Sequence, residues 1–248
     1  MLNNDLFLER TLSLSFQLLD IQPGFVVISK SAGVDFHSHE EQSGLVPQVE
    51  AELGLGKLYP VHRLDKMTSG VLLLARDAES AEMINLEFRE HRVEKYYLAL
   101  ADRKPSKKQG QVSGDMAKGR RGSWLLLKTQ ANPACTRFFS YSLSPGIRLF
   151  VLKPLTGRTH QLRVMMKSLG AAVLGDARYH SVASGSEQDR GYLHAYALSF
   201  EFAGQRYDYS VAPTEGALFT TEIFSQRLAS MGSLSALPWP GRNQGPLA

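Results

Sequence analysis

The stretch VHRLDKMTSGVLLLAR, residues 61–76, carries the reading of the chain. A polar turn places one acid, Asp65, among His62, Arg63 and Lys66, and the chain then enters the apolar run GVLLLAR, residues 70–76. That run reads as a β-strand with the turn at its entrance. An acid among cations in a loop is ordinarily a surface salt bridge of small energetic weight. The sharper reading is a carboxylate held ionised by nearby cations and available as a nucleophile or base.

Other strand-like runs lie on both sides of this stretch: GFVVISK (24–30), KYYLAL (95–100), SWLLLK (123–128), TRFFSYSL (136–143), IRLFVLK (147–153) and YALSFEF (196–202). Several alternate apolar and polar residues, as half-buried antiparallel strands do. SPG between SYSL and IRLFVLK makes a hairpin connection. DAESAEMINLEFREH (77–91) reads as a helix with Asp77 as N-cap and Ala81, Ile84 and Phe88 on one face. A second helix is expected over Thr159–Leu169, ended by Gly170, with Leu162, Met165, Met166 and Leu169 apolar and His160, Arg163 and Lys167 on a polar side. The mixture predicts an α+β fold, a mostly antiparallel mixed central sheet with flanking helices and loops.

The chain has 248 residues, 43% of them hydrophobic, enough for a sizeable core. Its 28 Lys and Arg against 24 acids give a formal charge of +4, a mild lean toward polyanions. The single cysteine, Cys135, excludes an intramolecular disulfide and, lying in a strand-like run, reads as a buried core residue. MLNNDLFLER lacks the basic and apolar regions of a signal peptide, and no apolar run approaches the roughly 18 residues of a membrane span. A cytoplasmic protein is expected. His37 and His39, with Glu40 following, read as loop residues and not as metal ligands.

Two basic features stand out. Between Arg103 and Lys128 lie eight Lys or Arg (103, 104, 107, 108, 118, 120, 121 and 128) and one acid, Asp115. Such a run is a solvated loop or a phosphate-contacting arm. In PLTGRTHQLRVMMKSLGAAVLGDARYH, residues 154–180, Gly157 ahead of a helix start exposes backbone N–H groups, and Arg158 and His160 add donors, a natural place for a phosphate. Arg163 follows one turn later, able to pair bidentately with a carboxylate. A capped amphipathic helix with surface arginines explains the same segment equally well.

Taken together, HRLDKMTSG, EKYYLAL, GRTHQLRV and GDARY resemble the RluA-type pseudouridine synthases. VVISKSAGVDFH resembles that family's first motif and YLHAYALSF its closing strand, the likeness running in order over roughly residues 17 to 213. The resemblance implies that Asp65 is the essential aspartate and that Arg63 fills the gap left by a flipped-out base. It implies that Tyr97 stacks on the uracil and helps move the last proton, and that Arg163 pairs with the catalytic aspartate. Leu162 would line the base pocket. His62, Arg158 and His160, with Lys107, Lys108, Arg120 and Arg121 of the basic segment, are the expected RNA contacts. Uridine isomerisation breaks the N1–C1′ bond, turns the base and rejoins it through C5, so no cofactor or metal is expected. Base extraction costs a few kcal/mol, which an inserted arginine and phosphate contacts offset. Attack by the aspartate at C1′ and removal of the C2′ proton both fit, and family chemistry points to the second.

Lys66-Met67 departs from the Arg-Asp pair frequent after the family aspartate. The first family-like strand begins near residue 24, which leaves no room for the S4-type RNA-binding module of many relatives. One catalytic domain over residues 1–228 and a flexible tail over 229–248, rich in Gly, Pro and Ser, are therefore expected. The expected partner is structured RNA, a ribosomal RNA or tRNA stem-loop, bound by a monomer with no obligate protein partner. The competing readings are an inactive RNA-binding protein or RNA chaperone of the same fold and, more weakly, a nucleoside hydrolase. The absence of an accompanying second carboxylate speaks against the latter.

Overall fold

The computed structural model describes residues 15–38, 43–180 and 188–241. The chain divides into two compact units, one taking the chain up to Glu94 together with Ala195–Ala212, the other Lys95–His194 together with the chain from Pro213. The fold is α+β, and its strand pairs are antiparallel wherever the register is defined.

The first unit begins with β1 (Phe16–Ile21) and β2 (Phe25–Lys30), an antiparallel pair with a register shift between Leu18 and Asp20. Helix α1 (Leu45–Leu53) follows, burying Leu45, Val46, Val49 and Leu53 and ending on Gly54 in the left-handed conformation. The short β3 (Tyr59–Pro60) leads to β4 (Ser69–Ala75), every residue of which is buried. Helix α2 (Ala78–Arg89) is capped as expected: the Asp77 carboxylate accepts the Ser80 amide at 2.7 Å. Ala81 and Ile84 are buried in the core, and Phe88 packs against it. Later in the chain, the unit's part of β11 (Leu193–Phe202) pairs with β12 (Gln205–Ser210). Phe25 lies at the centre of an aromatic cluster, 5.2 Å from Phe200 and 4.9 Å from Tyr207.

The second unit is built on β5 (Glu94–Ala101, from Lys95 onward), β6 (Gln109–Gly114), β9 (Ala134–Ser144) and β10 (Ile147–Pro154). Strand β10 pairs with both β5 and β9, and β6 adds to β9. The Ser144–Ile147 hairpin turns on Gly146 at φ 75°, as SPG predicts. A separate hairpin joins β7 (Met116–Lys118) to β8 (Trp124–Leu126). Helix α3 (Gln161–Ser168) starts two residues later than expected and buries Leu162, Met165 and Met166, with Leu169 just beyond it.

Helix α4 (Glu222–Ser230) and the segment after it correct the expected tail. Leu234 and Trp239 are each 3% exposed, the Trp239 ring lies 5.8 Å from Tyr96 and 5.1 Å from Phe139, and Arg137 donates to the Gly241 carbonyl at 3.0 Å. Two large apolar side chains outweigh the Gly, Pro and Ser around them, so the chain through residue 241 belongs to the second unit and the boundary at 229 does not hold. The expected single domain over 1–228 is met by two units assembled from non-contiguous stretches. Residues 242–248 lie outside the described residues. Among the described residues no helix is long and apolar enough to cross a membrane.

Candidate active site

In the first unit, half-buried Asp65 opens a turn that the Thr68 amide closes on its carbonyl at 2.9 Å, directly ahead of β4. Beneath this turn lies Lys30, the last residue of β2, only 1% exposed. Its ammonium donates to the carbonyls of Ser31 and Val34, both at 2.8 Å, and of Lys66 at 3.2 Å. The Gly33 amide reaches the same Lys66 carbonyl at 2.8 Å. One buried cation thus ties the loop after β2 to the carbonyl of the residue that follows Asp65, satisfying carbonyls that would otherwise be costly to bury.

His62, Arg63 and Lys66, beside Asp65 in sequence, each acquire a partner from elsewhere in the unit. The Leu73 amide donates to His62 Nε2 at 2.9 Å, and the His62 ring stacks on Phe88 at 5.1 Å, so His62 anchors the turn to β4 and α2. Exposed Arg63 places Nη1 3.0 Å from His37 Nε2, and Lys66 lies 3.7 Å from the Asp35 carboxylate. A cleft of about 320 Å³ opens beside them, with Asp35, His37 and Lys66 in its lining. His39 and Glu40 lie outside the described residues. Among the described residues no three His, Cys, Asp or Glu side chains gather at a metal-binding distance.

In the second unit, strand alternation separates the two tyrosines of KYY. Tyr96 is buried, and its hydroxyl accepts the Lys153 ammonium at 3.0 Å; Tyr97, opposite Leu152 of β10, is half-buried on the other face. Half-buried Lys95 has its ammonium beside Gly157, 3.9 Å from where a Cβ would stand, and burial pulls its pKa down to about 8.

Gln161 staples the loop before α3 to β9. Its Oε1 accepts Thr156 Oγ1 at 2.8 Å and the Arg158 amide at 2.9 Å, while Nε2 donates to the Cys135 carbonyl at 3.0 Å and Thr136 Oγ1 at 2.9 Å. One of the amides expected to face a phosphate is therefore used within the loop. Arg158 is exposed and bonds the Asn132 side chain; His160, the N-cap, sits at φ 58°, an uncommon conformation for a non-glycine residue. Cys135 is buried as expected, and its environment raises the thiol pKa.

Arg163 departs from the expected polar face, being 8% exposed. Asp176, whose side chain is fully buried, draws it inward: Nε donates to Oδ2 at 2.7 Å and Nη2 to Oδ1 at 2.8 Å. The same carboxylate accepts the amides of Arg178 and Tyr179 at 3.0 and 3.2 Å. The guanidinium also lies over the Tyr179 ring at 5.1 Å. A bidentate pair enclosed on these sides has one geometry. Leu162 is buried in α3 beside it.

The basic segment is not an irregular loop. Lys107 and Lys108 precede β6, whereas Arg120 and Arg121 form the tip between β7 and β8, with Arg121 at φ 52°. All eight of its cations are exposed.

The first unit thus carries Asp65, Arg63 and His62 on the turn ahead of β4, and the second carries Arg158 and His160 in the loop before α3 and Leu162 and Arg163 in its first turn, with Tyr97 on β5. Lys30, Gln161, Asp176 and Tyr179 escape the sequence reading as site residues although all lie within motifs it singles out. For Lys30 and Gln161 the signal is a polar residue in a segment whose apolar pattern predicts burial; the GDARY stretch has no such pattern to mark Asp176 and Tyr179.

A family model described as RNA pseudouridylate synthase matches residues 24–168. An uncharacterized RNA pseudouridine synthase of Haemophilus influenzae is 48% identical over 192 residues, 77% of this chain and 85% of that protein. The ribosomal large subunit pseudouridine synthase D of Borreliella burgdorferi is 34% identical over 143 residues, 57% of this chain and 44% of that protein. The structure of human RNA pseudouridylate synthase domain containing 1 matches with a TM-score of 0.72 at 23% identity, over 91% of this chain and 97% of that one.

Proposed function

Since the chain belongs to the RNA pseudouridylate synthase family, we propose that it isomerises specific uridines of ribosomal RNA or tRNA to pseudouridine with Asp65 as the essential carboxylate. Asp65 acts at the ribose, where the N1–C1′ bond breaks. Arg163 supplies a fixed cation, and Leu162 lines the base pocket. Tyr97 supplies the ring on which uracil turns and assists the last proton transfer. The C5–C1′ bond then forms, C5 gives up its hydrogen and N1 gains one, so the product is an isomer. Arg63 fills the gap left when the base leaves its stack. His62 holds the turn, Arg158 and His160 meet phosphates, and the exposed cations Lys107, Lys108, Arg120 and Arg121 extend the RNA contact. The name of the Borreliella relative favours large-subunit ribosomal RNA as the first substrate to try.

The observation that carries this reading over that of an inactive RNA binder is the buried Arg163–Asp176 pair. Binding phosphates calls for exposed cations. Desolvating an arginine and locking it through two nitrogens of one edge costs free energy, and what it secures is orientation, which chemistry needs. In the cell we expect a cytoplasmic monomer. Incubating the full chain with unmodified large-subunit ribosomal RNA and with tRNA, followed by nucleoside analysis, tests the reaction. Pseudouridine without free uracil is expected from one of them. Free uracil identifies a hydrolase, and tight binding with neither product identifies the inactive binder.

A further inference from the structure

A hairpin whose strands are three residues each is marginal on its own, yet β7–β8 presents Arg120 and Arg121 at its tip. Backbone bonds of Asp115 with Leu127 and Thr129 close its base, and further contacts to it come from the Gly157–Tyr179 region. Tyr179 is 4% exposed, and its hydroxyl oxygen accepts the amide of Trp124, the first residue of β8, at 2.8 Å. The same hydroxyl lies 2.9 Å from His160 Nδ1. Arg178 donates to the Arg121 carbonyl and packs against Gly122, where φ is 72° and a Cβ would stand 2.9 Å from Arg178 Nη1. On its other side the Tyr179 ring lies beneath Arg163 at 5.1 Å and Lys167 at 5.6 Å. One buried hydroxyl therefore joins the basic hairpin to the loop that ends at His160, while its ring supports the helix bearing Arg163.

We propose that the Tyr179 hydroxyl is a positioning group that sets the basic hairpin in register with the Gly157–His160 loop, so that RNA held by Arg120 and Arg121 presents its uridine in one orientation. This rests on the RNA-isomerase reading and adds to it a determinant of substrate choice that touches neither RNA nor the reacting atoms. Were the hydroxyl only filling space, phenylalanine would serve equally. Misregistration of a held substrate, by contrast, is felt in productive binding.

The test compares full-length wild type, Tyr179→Phe, Arg120→Ala/Arg121→Ala and the triple variant in steady-state isomerisation of the RNA the wild type modifies. Tyr179→Phe keeps the ring and its contacts with the arginine and lysine. Its KM is expected to rise about tenfold, with kcat at saturating RNA within about twofold of wild type. Added to the double arginine variant, it should have little further effect, because its role is to place those arginines. Arg178→Ala, which frees the tip carbonyl, should give the same KM-selective loss and serves if Tyr179→Phe does not fold. Wild-type KM in both single variants overturns the proposal, as does a fall in kcat at unchanged KM or full additivity with the arginine variant. Unchanged KM in the arginine variant overturns the hairpin's role while leaving the isomerase reading intact. An inactive wild type overturns that reading itself.

Discussion

Asp176 changes what Arg163 can do. An arginine on the outer face of an eight-residue helix would sample many rotamers, but here the carboxylate fixes two of its nitrogens and is itself held by two backbone amides. Asp176→Asn leaves a buried guanidinium without its counter-charge. Chemical denaturation should show a loss of about 3–5 kcal/mol, and kcat should fall more than KM rises, because the surface cations proposed to meet RNA are untouched. Wild-type kcat in a folded Asp176→Asn protein would remove Arg163 from the chemistry. Lys95 gives a prediction in pH. Burial lowers its pKa from 10.5 to about 8, so between those values the unfolded chain carries more of the proton than the folded one. Its destabilising contribution is complete below pH 8 and fades as pH rises to 10.5. Lys95→Met should therefore melt higher than wild type at pH 7, with the gap closing by pH 10.5. A gap independent of pH would assign the effect to packing alone.

Among the elements, β4 and α2 were legible because each declares itself locally, β4 by an unbroken apolar run and α2 by a cap and a single apolar face. Helix α1 escaped although Leu45, Val49 and Leu53 recur every four residues, since Pro47 inside the pattern argues against a helix until its place in the first turn is known. Strands β6 and β12 are polar and bury little of their length, so period and composition signal them weakly; pairing with β9 and β11 makes them strands. The final segment failed for the opposite reason. Average composition hid one side chain, Trp239, whose indole N–H donates to the Leu234 carbonyl at 2.8 Å while its ring covers Tyr96 and Phe139. Trp239→Ala should cost about 3–5 kcal/mol on the scale of large-to-small core substitutions. It should also make the chain after α4 an early site of protease cleavage. A Trp239→Ala protein as stable and as resistant as wild type would restore the loose-tail reading.

At the scale of the molecule, the motifs that resembled a family identified it, because short polar signatures in fixed order survive where strand pairing cannot be read. What they left unread is tertiary. Arg63, Lys66 and His62, which crowd Asp65 in sequence, meet His37, Asp35 and the Leu73 amide, and Arg163 and Trp124 have partners 13 and 55 residues away. Proximity in sequence shows the charges around Asp65, but not the contacts that folding adds to them from residues 35, 37 and 73. Nor does the pattern along the chain announce that each compact unit is built from two separated stretches. The account as a whole stands on Asp65 as the carboxylate of an isomerisation. The measurement that meets it most directly is release of tritium to water from RNA labelled at uridine C5, prepared from cells lacking this protein, on adding wild type or Asp65→Asn. Release by the wild type, lost in a variant that still binds the RNA with the same affinity, is the predicted result. Equal release by both proteins, or none by the wild type from either ribosomal RNA or tRNA, would contradict it.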